Sequence, residues 1–343
     1  MGRTRRGYTV RKANKEAIIM CTSVAFWDRG LYGRNLDLEY HFGEQVVITP
    51  RDHEFTFHHR EPLSHHYGMI GMASVARDTP LYAEAVNEKG LYMAGLYFPG
   101  NAVYFEEPDP ALLNLAPYEL IPLVLGSCAT AAEARTLLAT VRLAAIPFAP
   151  GFPLAALHWQ VAGPDGGFVM EPLADGLHFY DDAAGVLTNN PPYPHQVMNL
   201  NNYRHLSPRT PENTFAPALD LAVYGQGLGA LGLPGDASPM SRFVKAAFLR
   251  HHAAFPEDRA GQVSQFFHIL DAVSMVRGSV VTPEGRCDET TYACCCDGQE
   301  GVYYYHTYDS GCLHAVRMTE DALTGDGLRV FPLADKPQFV WDN

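Results

Sequence analysis

The tetrapeptide Met20-Cys21-Thr22-Ser23 places a thiol directly after a methionine. If that methionine and everything before it are removed, one residue carries both a nucleophilic sulfur and a free α-amino group. An unperturbed α-amino pKa of about 7.7 lies close to neutral pH, so the amine can act as general base toward its own side chain without a histidine partner. The chemistry implied is attack on an amide carbonyl through a thioester. A cysteine taken alone is more often a buried strand residue, and the neighbouring residues decide between the two. The segment Tyr32-Gly33-Arg34-Asn35-Leu36-Asp37 follows at a hairpin's distance. Arg34 would favour the thiolate, and Asp37 would accept a hydrogen bond from the α-amino group and orient it. Read without Cys21, the same two residues make a salt bridge at a turn.

Other reactive side chains have plainer readings. Cys294-Cys295-Cys296 with Cys287 suggests a metal site only until the strand period is considered, because consecutive residues point to opposite sheet faces and cannot converge on one tetrahedral ion. No metal and no cofactor are expected. The pairs His58-His59, His65-His66 and His251-His252 lack ligand spacing and read as surface or loop residues. Phe26, Phe57, Leu63, Ile146 and Phe148 could line an apolar pocket for a bulky acyl group, or belong to the core.

Positioning such residues needs a folded scaffold, and 343 residues with 47% hydrophobic content supply one. Acidic residues outnumber basic ones 38 to 25, a formal net charge of -13, which excludes the clustered Lys and Arg of nucleic-acid binders. Arg3, Arg5, Arg6, Arg11, Lys12 and Lys15 all lie in the first 20 residues, beside one acid, Glu16. This basic leader, 1–20, lacks the apolar run of about 7 to 15 residues found in a secretory signal. It reads as an over-called start, with Met20 the true one, or as a removed propeptide. No apolar stretch reaches the roughly 18 residues of a membrane span, and seven cysteines without regular spacing suit a reducing compartment. A soluble cytoplasmic protein with no membrane partner is expected.

From Cys21 onward, short β-rich runs alternate with turns. Thr22 to Trp27, the turn Asp28-Arg29-Gly30, Leu31 to Arg34, and Gln45 to Thr49 before Pro50 predict an antiparallel meander. Helical spacing covers Ala116 to Leu125 and Ala129 to Val141, the latter with Thr130 as N-cap. Strands are predicted at His158 to Ala162, Gly167 to Glu171 and His178 to Tyr180, helices at Ser238 to His252 and Gly261 to about Val276, and a β hairpin region at Thr290 to Met318. The order predicts an α+β protein of stacked layers, sheets inside and helices outside, with residues 21–343 as a single domain.

A set of ordered motifs carries a resemblance over roughly Cys21 to Tyr308. These are Met20-Cys21-Thr22, Gly33-Arg34-Asn35-Leu36-Asp37, Val47-Ile48-Thr49-Pro50-Arg51, Val86-Asn87-Glu88-Lys89-Gly90-Leu91, Ala94-Gly95-Leu96, Val186-Leu187-Thr188-Asn189, and Pro234-Gly235-Asp236 before Ser241-Arg242-Phe243. In them the chain resembles the choloylglycine hydrolase family, the bile salt hydrolases and penicillin V acylases, within the N-terminal-nucleophile hydrolases. The resemblance implies a four-layer αββα sandwich with antiparallel sheets, a homotetramer, and cleavage of a small-molecule amide. It assigns the nucleophile to Cys21, positioning of nucleophile and substrate to Arg34, Asp37 and Arg242, and part of the oxyanion site to Asn189. The Asn189 turn, Thr188-Asn189-Asn190-Pro191, can aim a side-chain N–H into a cleft, although an Asn before Asn-Pro is in itself an ordinary turn residue. One such donor is typically worth about 3 to 4 kcal/mol to the transition state. Tyr97 stands where bile salt hydrolases usually carry asparagine and some penicillin V acylases carry tyrosine. The contact taken from that position is a backbone N–H, which tyrosine keeps. The surrounding Phe98-Pro99-Gly100-Asn101 favours conjugated bile salts as substrates, with penicillin V as the alternative.

Overall fold

The computed structural model describes residues 20–343, so the expectation for the leader falls on 1–19, outside the described residues. In chain order the elements are β1 (Met20–Phe26), β2 (Leu31–Leu38), β3 (Gln45–Thr49), β4 (Met69–Ala76), β5 (Thr79–Asn87), β6 (Tyr92–Tyr97), β7 (Leu113–Leu115), α1 (Leu120–Ser127), α2 (Ala131–Leu138), β8 (Val141–Leu143), β9 (Leu157–Gly163), β10 (Gly166–Leu173), β11 (Gly176–Asp181) and β12 (Val186–Leu187). They continue with α3 (Tyr193–Asn199), α4 (Pro239–His252), α5 (Arg259–Asp271), β13 (Val280–Val281), β14 (Cys287–Asp297), β15 (Val302–Thr307), β16 (His314–Arg317), α6 (Glu320–Thr324) and β17 (Arg329–Pro332).

The strands build two large sheets. The first runs β12-β1-β2-β14-β15-β16, with β13 attached to β14; the second runs β11-β10-β9-β6-β5-β4-β3-β17. Neighbours within both are antiparallel. Helices α4 and α5 pack on β1, β12, β2 and β14, whereas α1 and α2 pack on β5, β6, β9 and β10. The first sheet faces the second through β1 against β6 and β14 against β5. Four layers result, helices outside and sheets inside, as the sequence predicts.

Because both faces of each sheet are covered, central strands are buried without alternation; every residue of β1 and β2 is buried, the polar ones included. The period of two still sorts their side chains. Ser23 faces the second sheet, donating to Gln160 Oε1 at 2.6 Å, while Thr22 faces α4. Gly33 on β2 is required by close approach, since a Cβ there would sit 1.9 Å from the Cys294 carbonyl oxygen on β14.

Several boundaries differ from the predicted ones. Ala116 to Glu119 is an entry turn to α1, and Val141 belongs to β8, while α5 stops at Asp271 with Val273 turning back into the core. Thr130 caps α2 as predicted, accepting the Glu133 N–H at 3.2 Å. His66 lies in a loop, as expected, but is buried there, and its two ring nitrogens meet the carbonyls of Tyr67 and His53 at 2.8 Å. No helix among the described residues is long and apolar enough to cross a membrane.

Candidate active site

Cys21 is fully buried near the start of β1, with its side chain on the face toward the second sheet. Antiparallel pairing sets Met20 opposite Asp37, Cys21 opposite Leu36 and Ser23 opposite Arg34. Arg34 points to the same face as Cys21. Its Nη2 donates to the Cys21 sulfur and its Nη1 to the Gly95 carbonyl at 2.6 Å. Asp37 lies three residues on, an odd step, and therefore emerges on the opposite face, toward α4.

Asp37 makes its contacts on that face. Its Oδ1 accepts the Thr290 hydroxyl at 2.6 Å, and its Oδ2 lies 3.9 Å from Arg242 Nη1. The Cys21 backbone N–H, here an amide joined to Met20, goes instead to Asn189 Oδ1 at 2.9 Å. Arg242 Nη2 donates to the same oxygen at 2.9 Å, and Arg242 Nη1 donates to the Cys21 carbonyl and the Thr22 hydroxyl. Asn189 Nδ2 donates to the Tyr97 carbonyl at 2.8 Å. A backbone hydrogen bond from Tyr97 also reaches the Cys21 thiol and favours its ionised form. All six residues named from the sequence thus meet within one buried cluster.

Local structure explains how distant segments reach this point. Arg242 sits in the first turn of α4, whose entry is fixed by Asp236: its carboxylate accepts the Ser238 N–H at 2.9 Å and the Ser241 hydroxyl at 2.6 Å, which hold its pKa down at about 2. Gln196 on α3 straps the Asn189 turn, donating to the Asn189 carbonyl at 2.7 Å while accepting the Thr188 hydroxyl at 2.7 Å. Asn190 precedes a cis proline and donates to the Pro99 carbonyl at 2.9 Å, tying that turn to the exit from β6.

Burial pushes the Cys21 thiol pKa up; Arg34, the Tyr97 contact and Arg242 pull it down, and Asp37 adds to the rise. The net direction is upward, so Arg34 does favour the thiolate but is outweighed by burial. Burial also lowers Arg34, but the electrostatic attraction of Cys21, Tyr292 and Glu84 more than offsets it and its net shift is upward. This guanidinium stays charged.

Glu84 lies outside the motifs that mark the other site residues. Fully buried on β5, it lies 3.7 Å from Arg34 Nη1 and accepts the hydroxyls of Tyr303 at 2.6 Å and Tyr292 at 2.8 Å. A register shift between β4 and β5 at Met72/Ala73 interrupts the ladder beside Ala83, and the Ala83 carbonyl accepts from Arg34 Nη1 at 3.4 Å. One acid inside the apolar run Leu81-Tyr82-Ala83-Glu84-Ala85-Val86 was the available signal, since a charged side chain in a central strand needs a buried partner.

The remaining expectations fall elsewhere. Cys294 and Cys295 occupy opposite faces of β14, Cys294 next to Glu84 and Cys295 within the field of Arg259. Phe26 is a core residue, edge-on to Phe255 and Phe266, and not a pocket wall. A cavity of about 640 Å³ is lined by Leu63, Arg51, Glu88 and Lys89, and has no wall in common with the Cys21 cluster. Phe148 instead packs edge-on with Tyr118 and Phe152.

Two stacked antiparallel sheets, covered by helices and carrying a buried cysteine at the head of a central strand, define an N-terminal-nucleophile hydrolase fold. Residues 21–331 match the model of the linear amide C–N hydrolases, choloylglycine hydrolase family, and the chain belongs to that family. It is 42% identical over 321 residues to a bile salt hydrolase/transferase of Lactiplantibacillus plantarum, covering 93% of this chain and 99% of that protein. A bile salt hydrolase/transferase of Clostridium perfringens is 34% identical over 91% of this chain and 96% of its own length. Among solved structures, a mutant conjugated bile acid hydrolase from Clostridium perfringens superposes with a TM-score of 0.87 at 33% identity, covering 94% of this chain and all of that one. The penicillin V acylase of Agrobacterium tumefaciens shares the fold, with a TM-score of 0.71 at 18% identity over 90% of each chain.

Proposed function

We propose that this protein hydrolyses the amide bond of glycine- and taurine-conjugated bile salts through a Cys21 thioester. The observation that carries the proposal is the convergence of Cys21, Arg34, Arg242 and Asn189 in one buried cluster, in a chain 42% and 34% identical to two bile salt hydrolase/transferases over 99% and 96% of their lengths.

Loss of residues 1–20 turns the Cys21 N–H that now bonds Asn189 into an α-amino group, still beside Asn189 Oδ1 and near Asp37. A base is needed there because burial raises the thiol pKa. The amine takes the thiol proton, the thiolate attacks the amide carbon, and the oxyanion is held by the Tyr97 backbone N–H and Asn189 Nδ2. The intermediate collapses with proton transfer from the ammonium to the leaving amine, releasing glycine or taurine. Water then adds to the thioester with the amine again as base, freeing the bile acid and the thiol. Arg34 stabilises the anionic sulfur, while Arg242 orients Asn189 and offsets Asp37. The mechanism uses no metal or cofactor. The active form is a cytoplasmic homotetramer with residues 21–343 as one catalytic domain.

Penicillin V acylase activity on the same machinery is the second reading, motivated by Tyr97. Parallel turnover of glycocholate, taurocholate and penicillin V by purified protein, with N-terminal sequencing of the active species, tests both. Dominant penicillin V turnover overturns the substrate assignment, and an active species with Met20 still joined to Cys21 overturns the mechanism.

A further inference from the structure

Between the two sheets lies an ionisable pair that the mechanism above leaves unused. His158 on β9 and Glu171 on β10 are both fully buried, with His158 Nδ1 3.2 Å from Glu171 Oε1. His158 Nε2 donates to the Thr188 carbonyl at 2.8 Å. The imidazole lies flat on the Phe98 ring, centroids 4.2 Å apart and planes within 7°. Glu171 Oε1 also accepts the Tyr193 N–H at 2.8 Å, at the start of α3.

Each partner of the ring adjoins one of the two oxyanion donors. Phe98 follows Tyr97, and Thr188 precedes Asn189. These donors come from different sheets, β6 in the second and the end of β12 in the first, and antiparallel ladders do not cross between sheets. The direct link between them is Asn189 Nδ2 to the Tyr97 carbonyl. Beyond it and the Asn190 bond to the Pro99 carbonyl, a rigid connection comes from one planar ring that stacks on one side and donates on the other. Burying a histidine–carboxylate pair costs desolvation, so its placement here calls for a positional reason.

Resting on the proposed Cys21 amidase mechanism, we infer that His158, oriented by Glu171, is a positioning residue that sets the spacing of the Tyr97 and Asn189 oxyanion donors. It touches neither sulfur nor substrate. Its effect therefore falls chiefly on steps in which negative charge develops on the carbonyl oxygen, with a smaller one on the thiol through the Tyr97 contact.

The test compares two reactions of the same thiol. Amide hydrolysis passes through an oxyanion, whereas alkylation of Cys21 by iodoacetamide displaces iodide at a saturated carbon and leaves its own carbonyl unattacked. His158→Leu is expected to lower kcat for glycocholate about 100-fold with KM changed less than about threefold. His158→Gln, which retains a donor toward Thr188, is expected to lose about 10-fold. Both should alkylate at within about twofold of the wild-type rate. A folded His158→Leu with wild-type kcat, or one whose turnover and alkylation fall in parallel, overturns the inference. Should His158→Leu not fold, Phe98→Leu removes the stack while keeping both hydrogen bonds, and the same split between turnover and alkylation decides. Failure of the underlying mechanism looks different: wild type itself does not hydrolyse glycocholate, or Cys21→Ala still does.

Discussion

Arg242 Nη2 and the Cys21 backbone N–H meet on a single atom, Asn189 Oδ1, each at 2.9 Å. That shared acceptor fixes which way the Asn189 amide faces: with Oδ1 committed to two donors, Nδ2 must point toward Tyr97. Arg242 also lies 3.9 Å from the buried Asp37 carboxylate and bonds the Cys21 carbonyl. Replacing it with methionine strands a buried acid and releases the amide. Arg242→Met is expected to lose about 3 to 5 kcal/mol of stability, read by urea unfolding at pH 7. Arg242→Met combined with Asp37→Asn should recover part of that loss without recovering turnover.

Cys21→Ala is expected to abolish bile salt hydrolysis while leaving the far- and near-ultraviolet circular dichroism unchanged, because the side chain removed is small. Cys21→Ser should also be severely impaired, since a hydroxyl is a far poorer anion at the same amine base. Substantial glycocholate turnover by the alanine variant contradicts the assignment of the nucleophile.

Gly33→Ala introduces a methyl group 1.9 Å from the Cys294 carbonyl oxygen, an obstacle made of backbone that cannot rotate away. The strand carrying Arg34 must separate from β14 to accept it. A loss of about 3 kcal/mol or more is expected from such overpacking, with turnover falling along with stability. A thermal midpoint equal to wild type would show that β2 and β14 are not so closely paired.

Asp288 offers a test by pH. Burial, with Glu39 and Asp37 close by, raises its carboxyl pKa to about 6, against about 3.9 for an unperturbed aspartate. A folded-state pKa above the unfolded one gives a contribution that is fully present below the unfolded pKa and is lost as pH rises through 6. Asp288→Asn removes the titration. Its thermal midpoint should therefore exceed wild type at pH 8 and approach it at about pH 4. An equal gain at both values contradicts the assignment.

Much of the scaffold was legible in the chain. The Asp28-Arg29-Gly30 turn, the Thr130 cap, the Ser238-Pro239 helix start and the strand–helix–strand order are local signals, set by backbone preferences within a few residues. The boundaries that differ, at Val141 and Val273, are places where tertiary packing outweighs helical periodicity. Met20-Cys21 and Gly33-Arg34-Asn35-Leu36-Asp37 likewise declared themselves, because reactive residue types stand there in recognisable order.

The division is sharpest around Arg34, Asp37 and Glu84. Sequence alone determined that a thiol, two arginines, an acid and an amide were available, on which kinds of element, and in which family's order. It could not say that Arg34 and Asp37 serve opposite faces of β2, that Asn189 rather than Asp37 takes the Cys21 N–H, or that Glu84 and His158 stand behind the site. Those facts depend on register and on which sheet covers which face. Pairing between residues 168 positions apart, as for Cys21 and Asn189, is fixed by how whole layers pack, and no local preference encodes it.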